Sequence, residues 1–193
     1  LHLCDRRQRQ MCIRDSFYKG EKVMKKIDAF LIIAKELNKV AITPVLMGSV
    51  GLEYLTKIDW QANDIDIHVP GNPNGWDAPD RLRIYQWDLI LNIMLGLGFQ
   101  LTNLHEHEFQ KGDLSVAFGS IDCLPQFANV DLQDLVENNL GSIKFLTPTL
   151  QQFMNIYTAS SMDSYRQQQG NQKDLSKIVF LKKQLSLKKE NNK

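Results

Sequence analysis

The sequence predicts an α+β fold, a small β-sheet flanked by helices and closed by a C-terminal helical segment, and three observations carry that prediction. An apolar stripe of helical period lies near the start of the regular part of the chain. Short apolar or alternating runs bounded by Gly, Pro and Asn follow it, as strands require. From Leu150 onward the pattern is helical. The 193 residues are enough for one core, and with 43% apolar and 23% charged residues the chain is neither disordered nor fibrous. A net charge of +1 supplies no broad field for drawing in nucleic acid. The cysteines Cys4, Cys12 and Cys123 are widely spaced and form no Cys-x-x-Cys pair, which excludes a disulfide framework or zinc cluster and fits a reducing, cytoplasmic setting. No apolar run is long enough to span a bilayer, so no membrane partner is expected.

Residues 1–16 carry four arginines around two cysteines and show neither helical nor strand period. Their Met-Cys-Ile-Arg-Asp-Ser ending resembles read-through of sequencing adapters, which puts the natural start near Met24; a basic arm for nucleic acid is the competing interpretation. The expected organisation is therefore an extension over 1–23, a domain over 24–147 and a helical segment over 148–193. Ile27, Phe30, Leu31, Ala34 and Leu37 form the stripe of a first helix over 27–37. Ile42 to Met47 is a buried strand ending at Gly48-Ser49, and a short helix over 52–58 follows. Asp64 to Val69 alternates polar residue and apolar residue, the period of a strand with unlike faces.

Gly71 to Pro79 is loop. A helix is predicted over 79–97, with Leu82, Tyr85, Leu89, Ile93 and Leu97 on one side and Gly98 as its cap. Strands are predicted over 99–110 and 114–123 around a bend at Gly112, and a short one over 143–146. Helices over 150–165 and 173–187 complete the chain, with a frayed Lys-rich tail after Leu187.

Asp64 and Asp66 sit two apart on a strand, so their carboxylates share a face while Ile65 and Ile67 pack inward. Two such anions repel unless a hard cation such as Mg2+ holds them. The alternative is a solvated strand face, since Asp-x-Asp alone is common. Gly48-Ser49 lies between a buried strand and a helix, with fourteen residues separating Ser49 from Asp64. A glycine there lets a phosphate approach the backbone at a helix N-terminus, while an ordinary turn with Ser49 as N-cap is the structural alternative.

Met47-Gly48-Ser49 with Asn63-Asp64-Ile65-Asp66 resembles the Gly-Ser and Asp-x-Asp signature of the DNA polymerase β-like nucleotidyltransferases over roughly residues 27–125. That resemblance implies a mixed sheet, Gly48 and Ser49 holding a triphosphate, and Asp64 and Asp66 binding Mg2+. It also implies a third metal-binding carboxylate on a neighbouring strand. Asp122 in Ser120-Ile121-Asp122-Cys123-Leu124-Pro125 is the best match, resembling the strand of lincosamide-type enzymes, with Glu108, Asp113 and Asp131 as rivals. Lys173-Asp174 is similar to the Lys-Asp of antibiotic-modifying and toxin-type members, where Lys173 would reach a phosphate; a solvated Lys173 is the alternative. Tyr165 and Arg166 are further candidates.

The implied reaction is Mg2+-dependent transfer of a nucleotidyl group from an NTP to a hydroxyl of a small molecule, a protein or a tRNA end, tRNA being the one nucleic acid in view. The other class is a non-catalytic nucleotide-binding or toxin-antitoxin-associated module; three retained acids speak against it. His105 and His107 alternate with Glu106 and Glu108 but lack a second zinc-like pair. His68 shares the Asp face and is read as a hydrogen-bond partner, and Trp60, Trp76 and Trp87 as packing and loop anchors.

Overall fold

The computed structural model describes residues 24–162 and 172–191, so the expectations for residues 1–16, Tyr165 and Arg166 lie outside the described residues. Helix α1 (Lys26–Lys39) forms where the stripe predicts it, burying Phe30, Ile33, Ala34 and Leu37 completely. Strand β1 (Val45–Leu46) is only two residues long. Pro44 before it has no N–H to donate and Gly48 after it takes φ +58°, so beyond the bonds at Pro44 O and Met47 N–H the ladder ends on both sides. Helix α2 (Gly48–Thr56) starts at the Gly-Ser motif itself, and strand β2 (Ile65–Val69) buries Ile65, Ile67 and Val69 while Asp66 and His68 face the other side.

The helix expected over 79–97 is shorter. Residues 83–85 turn back on 70–72, with Asn72 N–H donating to Arg83 O, Tyr85 N–H to Pro70 O, and Gly71 bridging Ile84. Gln86 then takes φ +56°, and helix α3 (Trp87–Gly96) begins only after it. Leu82 and Tyr85, placed on the apolar stripe by periodicity, are 63% and 52% exposed. Backbone groups committed to a neighbouring segment outweigh a helical period here.

The strand expected over 99–110 is two, β3 (Gln100–Asn103) and β4 (Glu108–Lys111), because the chain reverses between them with His107 at φ +49°. Strand β5 (Leu114–Ser120) follows the bend at Gly112, then helix α4 (Leu124–Ala128). Strand β6 (Val136–Leu140) has no counterpart in the sequence prediction; it pairs with β7 (Ile143–Thr147) across Gly141. Helices α5 (Leu150–Met162) and α6 (Gln172–Asn191) end the chain, α6 running past Leu187 where fraying was expected.

The seven strands form one mixed sheet in the order β3-β4-β5-β2-β1-β7-β6. On one face α1 and α3 cover the main core, in which the Phe30 and Phe145 rings meet edge-on at 5.2 Å. On the other face Val45, Met47, Leu124 and Ala128 pack with Ile156 and Ala159 of α5. Helix α6 packs on α5 and α2 through Leu52, Phe153, Tyr157, Ile178 and Leu181. Full burial of each such side chain contributes about 2 kcal/mol, enough to hold α6 beside the start of α2. Among the described residues no helix is long and apolar enough to cross a membrane.

Candidate functional site

Strands β1 and β2 are antiparallel neighbours, with Leu46 opposite Ile67 and the Met47 N–H donating to Asp66 O at 2.9 Å. That register carries Gly48 onto the Asp66 carboxylate. A Cβ at position 48 would stand 1.7 Å from Asp66 Oδ2 and 2.7 Å from its Cγ. Glycine is required there twice over, by the contact and by the left-handed backbone. Asp64 lies in the bend just before β2, one residue short of the strand the sequence predicts for it, so the alternation of that strand fixes the face of Asp66 alone.

Ser49 does not cap α2; Met47 occupies that position. Its hydroxyl accepts a hydrogen bond at 2.8 Å from Nζ of Lys177 on α6, 128 residues away in sequence. Lys177 is 6% exposed, 3.5 Å from Asp174 Oδ1 and 4.7 Å from the Tyr157 ring centroid. The expected cation was Lys173, whose side chain lies outside the described residues. Lys177 was missed, although a signal existed: Asp174, Lys177, Ile178 and Leu181 share one helical stripe, so two charges stand in an apolar face.

Asp122 is not on the strand beside the pair. It lies in the turn after β5, and its Oδ2 accepts the Gly71 N–H at 2.8 Å. Because β5 runs parallel to β2 with Ala117 opposite Asp66, the three residues from Ala117 to Ser120 already span about 10 Å, and Asp122 lies beyond them. The resemblance of residues 120–125 implied a strand; Ile121 and Leu124 instead anchor the turn into α4, with Pro125 in its first turn.

On the Asp66 face β5 carries Ser115, Ala117 and Gly119. Next on that face is Glu108 of β4, opposite Ala117 and therefore about 10 Å from Asp66 between Cα atoms. Its Oε1 accepts from Ser115 Oγ at 2.8 Å, leaning toward the row of Asp64. Asp113 sits in the β4–β5 bend, and Asp131 receives the Gln133 N–H at 2.9 Å. Among the described residues no three His, Cys, Asp or Glu side chains come together as a metal-binding group.

His68 packs against Gly119, its Nδ1 buried without a hydrogen-bond partner, and burial pushes its pKa down to about 4. The ring is therefore neutral near pH 7 and adds no charge beside Asp66. His105 and His107 belong to a loop anchor. His105 Nδ1 is 2.9 Å from Asp80 Oδ1, His107 Nε2 is 2.7 Å from Asp80 O, and Arg83 pairs with Asp80 beneath the Trp76 ring. Trp87 meets His107 and Phe109, and Trp60 meets Phe180, the packing roles expected of them.

No protein-family model matches the chain. The crystal structure of an antigenic nucleotidyltransferase-like protein from Paracoccidioides brasiliensis is similar to 81% of this chain and 75% of that one, with a TM-score of 0.54 at 14% identity. The fold is thus of nucleotidyltransferase type. Over 164 residues, 83% of this chain and 97% of its relative, the sequence is 35% identical to the uncharacterized protein YnaI of Bacillus subtilis (strain 168), and the chain belongs to the family of YnaI.

Proposed function

We propose that this chain transfers a nucleotidyl group from a nucleoside triphosphate to a hydroxyl of a small-molecule, protein or tRNA acceptor, in the cytoplasm and with Mg2+ at Asp64 and Asp66. The observation that carries this is the buried Lys177 ammonium at the start of α2, beside the glycine that abuts Asp66. A helix N-terminus is electropositive, so a cation facing it is unfavourable until an anion lies between them. Asp174 balances part of that charge. A polyphosphate would complete it, held by the α2 N–H groups, the Ser49 hydroxyl and Lys177.

Two carboxylates suit Mg2+, which commonly binds through one or two carboxylates together with substrate phosphates. Bound there, it would neutralise the phosphates and lower the pKa of the acceptor hydroxyl. The acceptor oxygen bonds to the α-phosphorus, the bond from that phosphorus to the bridging oxygen breaks, and pyrophosphate departs with the electron pair. We assign the hydroxyl proton to Glu108, the acid nearest by register now that Asp122 is committed to Gly71.

A second reading, a nucleotide-binding module without turnover, as in toxin-antitoxin-associated proteins, is favoured by one observation: the β5 residues on the Asp66 face carry no acid. Both readings require nucleotide binding. With Mg2+, one NTP at a hundred times its Kd should add about 2.7 kcal/mol of stability, or about 5–10 °C in Tm. Lys177→Met should remove most of that shift. No shift with any of the four NTPs contradicts both readings.

A further inference from the structure

Between the end of α2 at Thr56 and the start of β2 the chain runs irregularly through residues 57–64, and Asp64 is the last of them. Ordering such a stretch costs conformational entropy at every residue, so Asp64 would wander relative to Asp66 unless the linker is held. It is held by Glu53, on α2 one turn beyond Ser49. One carboxylate oxygen, Oε1, accepts both the Trp60 N–H at 2.9 Å and the Ala62 N–H at 3.2 Å. The intervening Gln61 N–H goes to Asp59 Oδ1 at 2.8 Å, so three successive donors are satisfied by carboxylates. Trp60 then reaches in two directions. Its Nε1 donates to Thr56 Oγ1 at 3.2 Å, and its ring meets Phe180 edge-on at 5.1 Å. Phe180 lies three residues beyond Lys177 on α6.

We propose that Glu53 is a positioning residue of the metal site, fixing Asp64 in line with Asp66, and that through Trp60 the same clamp sets how α6 presents Lys177 to Ser49. Hydrogen bonds from two N–H groups to an ionised carboxylate are strong ones, and they act two and four residues before Asp64. The inference rests on the reading of Asp64 and Asp66 as metal ligands, and its test separates the two.

Mn2+ affinity is measured by electron paramagnetic resonance on the wild type, Asp64→Asn, Glu53→Gln and Glu53→Ala, with Tm recorded for each. Glutamine keeps an oxygen where the two N–H groups point, so Glu53→Gln should stay within about twofold of wild type, whereas Glu53→Ala should weaken Mn2+ binding about tenfold or more. A Glu53→Ala protein with lowered Tm but unchanged Mn2+ affinity overturns the proposal, because a purely structural clamp predicts that outcome. So does a Glu53→Gln protein as weak as Glu53→Ala. Wild type that binds no Mn2+ refutes the metal-site reading instead. Amide hydrogen exchange then judges the clamp alone: Glu53→Ala should deprotect Trp60, Ala62 and Asp64 together, and unchanged protection at Asp64 overturns its positioning.

Discussion

Asp66→Asn is expected to lower nucleotidyl transfer about a thousandfold, or about 4 kcal/mol of transition-state stabilisation, while the protein still folds. The amide keeps the shape of the carboxylate over Gly48 but withdraws a charge from the phosphates, and Asp64→Asn should behave alike. Separation of activity from Tm distinguishes a metal ligand from a structural acid. Among the other carboxylates an asymmetry is expected. Glu108→Gln should lose transfer, whereas Asp122→Asn should retain it, since an asparagine oxygen can still accept the Gly71 N–H. Asp113→Asn and Asp131→Asn should be nearly silent. Loss in Asp122→Asn with full activity in Glu108→Gln would show that the third acid comes from the end of β5 after all.

Gly48→Ala should be strongly damaging. Its Cβ meets Asp66 Oδ2 at 1.7 Å and Asp66 Cβ at 3.0 Å, so rotating the carboxylate relieves only part of the overlap. The left-handed backbone adds about 1–2 kcal/mol, and with the residual contact the loss should reach about 3 kcal/mol, or a fall in Tm of about 6–12 °C. Transfer should fall further than stability, because relief of the clash moves Asp66 away from the metal. Pairing Gly48→Ala with Asp66→Ala should return part of the lost Tm, leaving the backbone cost and the 3.0 Å contact with the Cβ at position 66. Equal destabilisation in the single and double variants would contradict the contact.

In the candidate site, the sequence pointed to what local pattern can carry. Gly48 punctuates a buried strand and Asp66 faces away from the buried isoleucines of an alternating one, as local periodicity predicts, whereas Asp64 falls in the bend before that strand. Lys177 depends on how α6 docks against α2, and its place in the stripe of Ile178 and Leu181 was the one local mark that set it apart in a Lys-rich helix. Asp122 misled for the opposite reason: Ile121 and Leu124 are buried as strand residues would be, yet they belong to a turn. Strand β6 was invisible because Val136-Glu137-Asn138-Asn139-Leu140 is an exposed edge strand with no apolar face to alternate. At residues 79–86 the helical period was present and lost to the pairing of 83–85 with 70–72.

Incubating the wild-type protein with each NTP labelled at the α-phosphate, with Mg2+ and candidate acceptors including the protein itself and total tRNA, is the decisive test of nucleotidyl transfer. Label from one α-labelled NTP should become covalently attached to an acceptor, with pyrophosphate released in equal amount and none of either from Asp66→Asn. Tight Mg2+-dependent nucleotide binding with no label transferred to any acceptor would contradict nucleotidyl transfer and leave the chain a nucleotide-binding module.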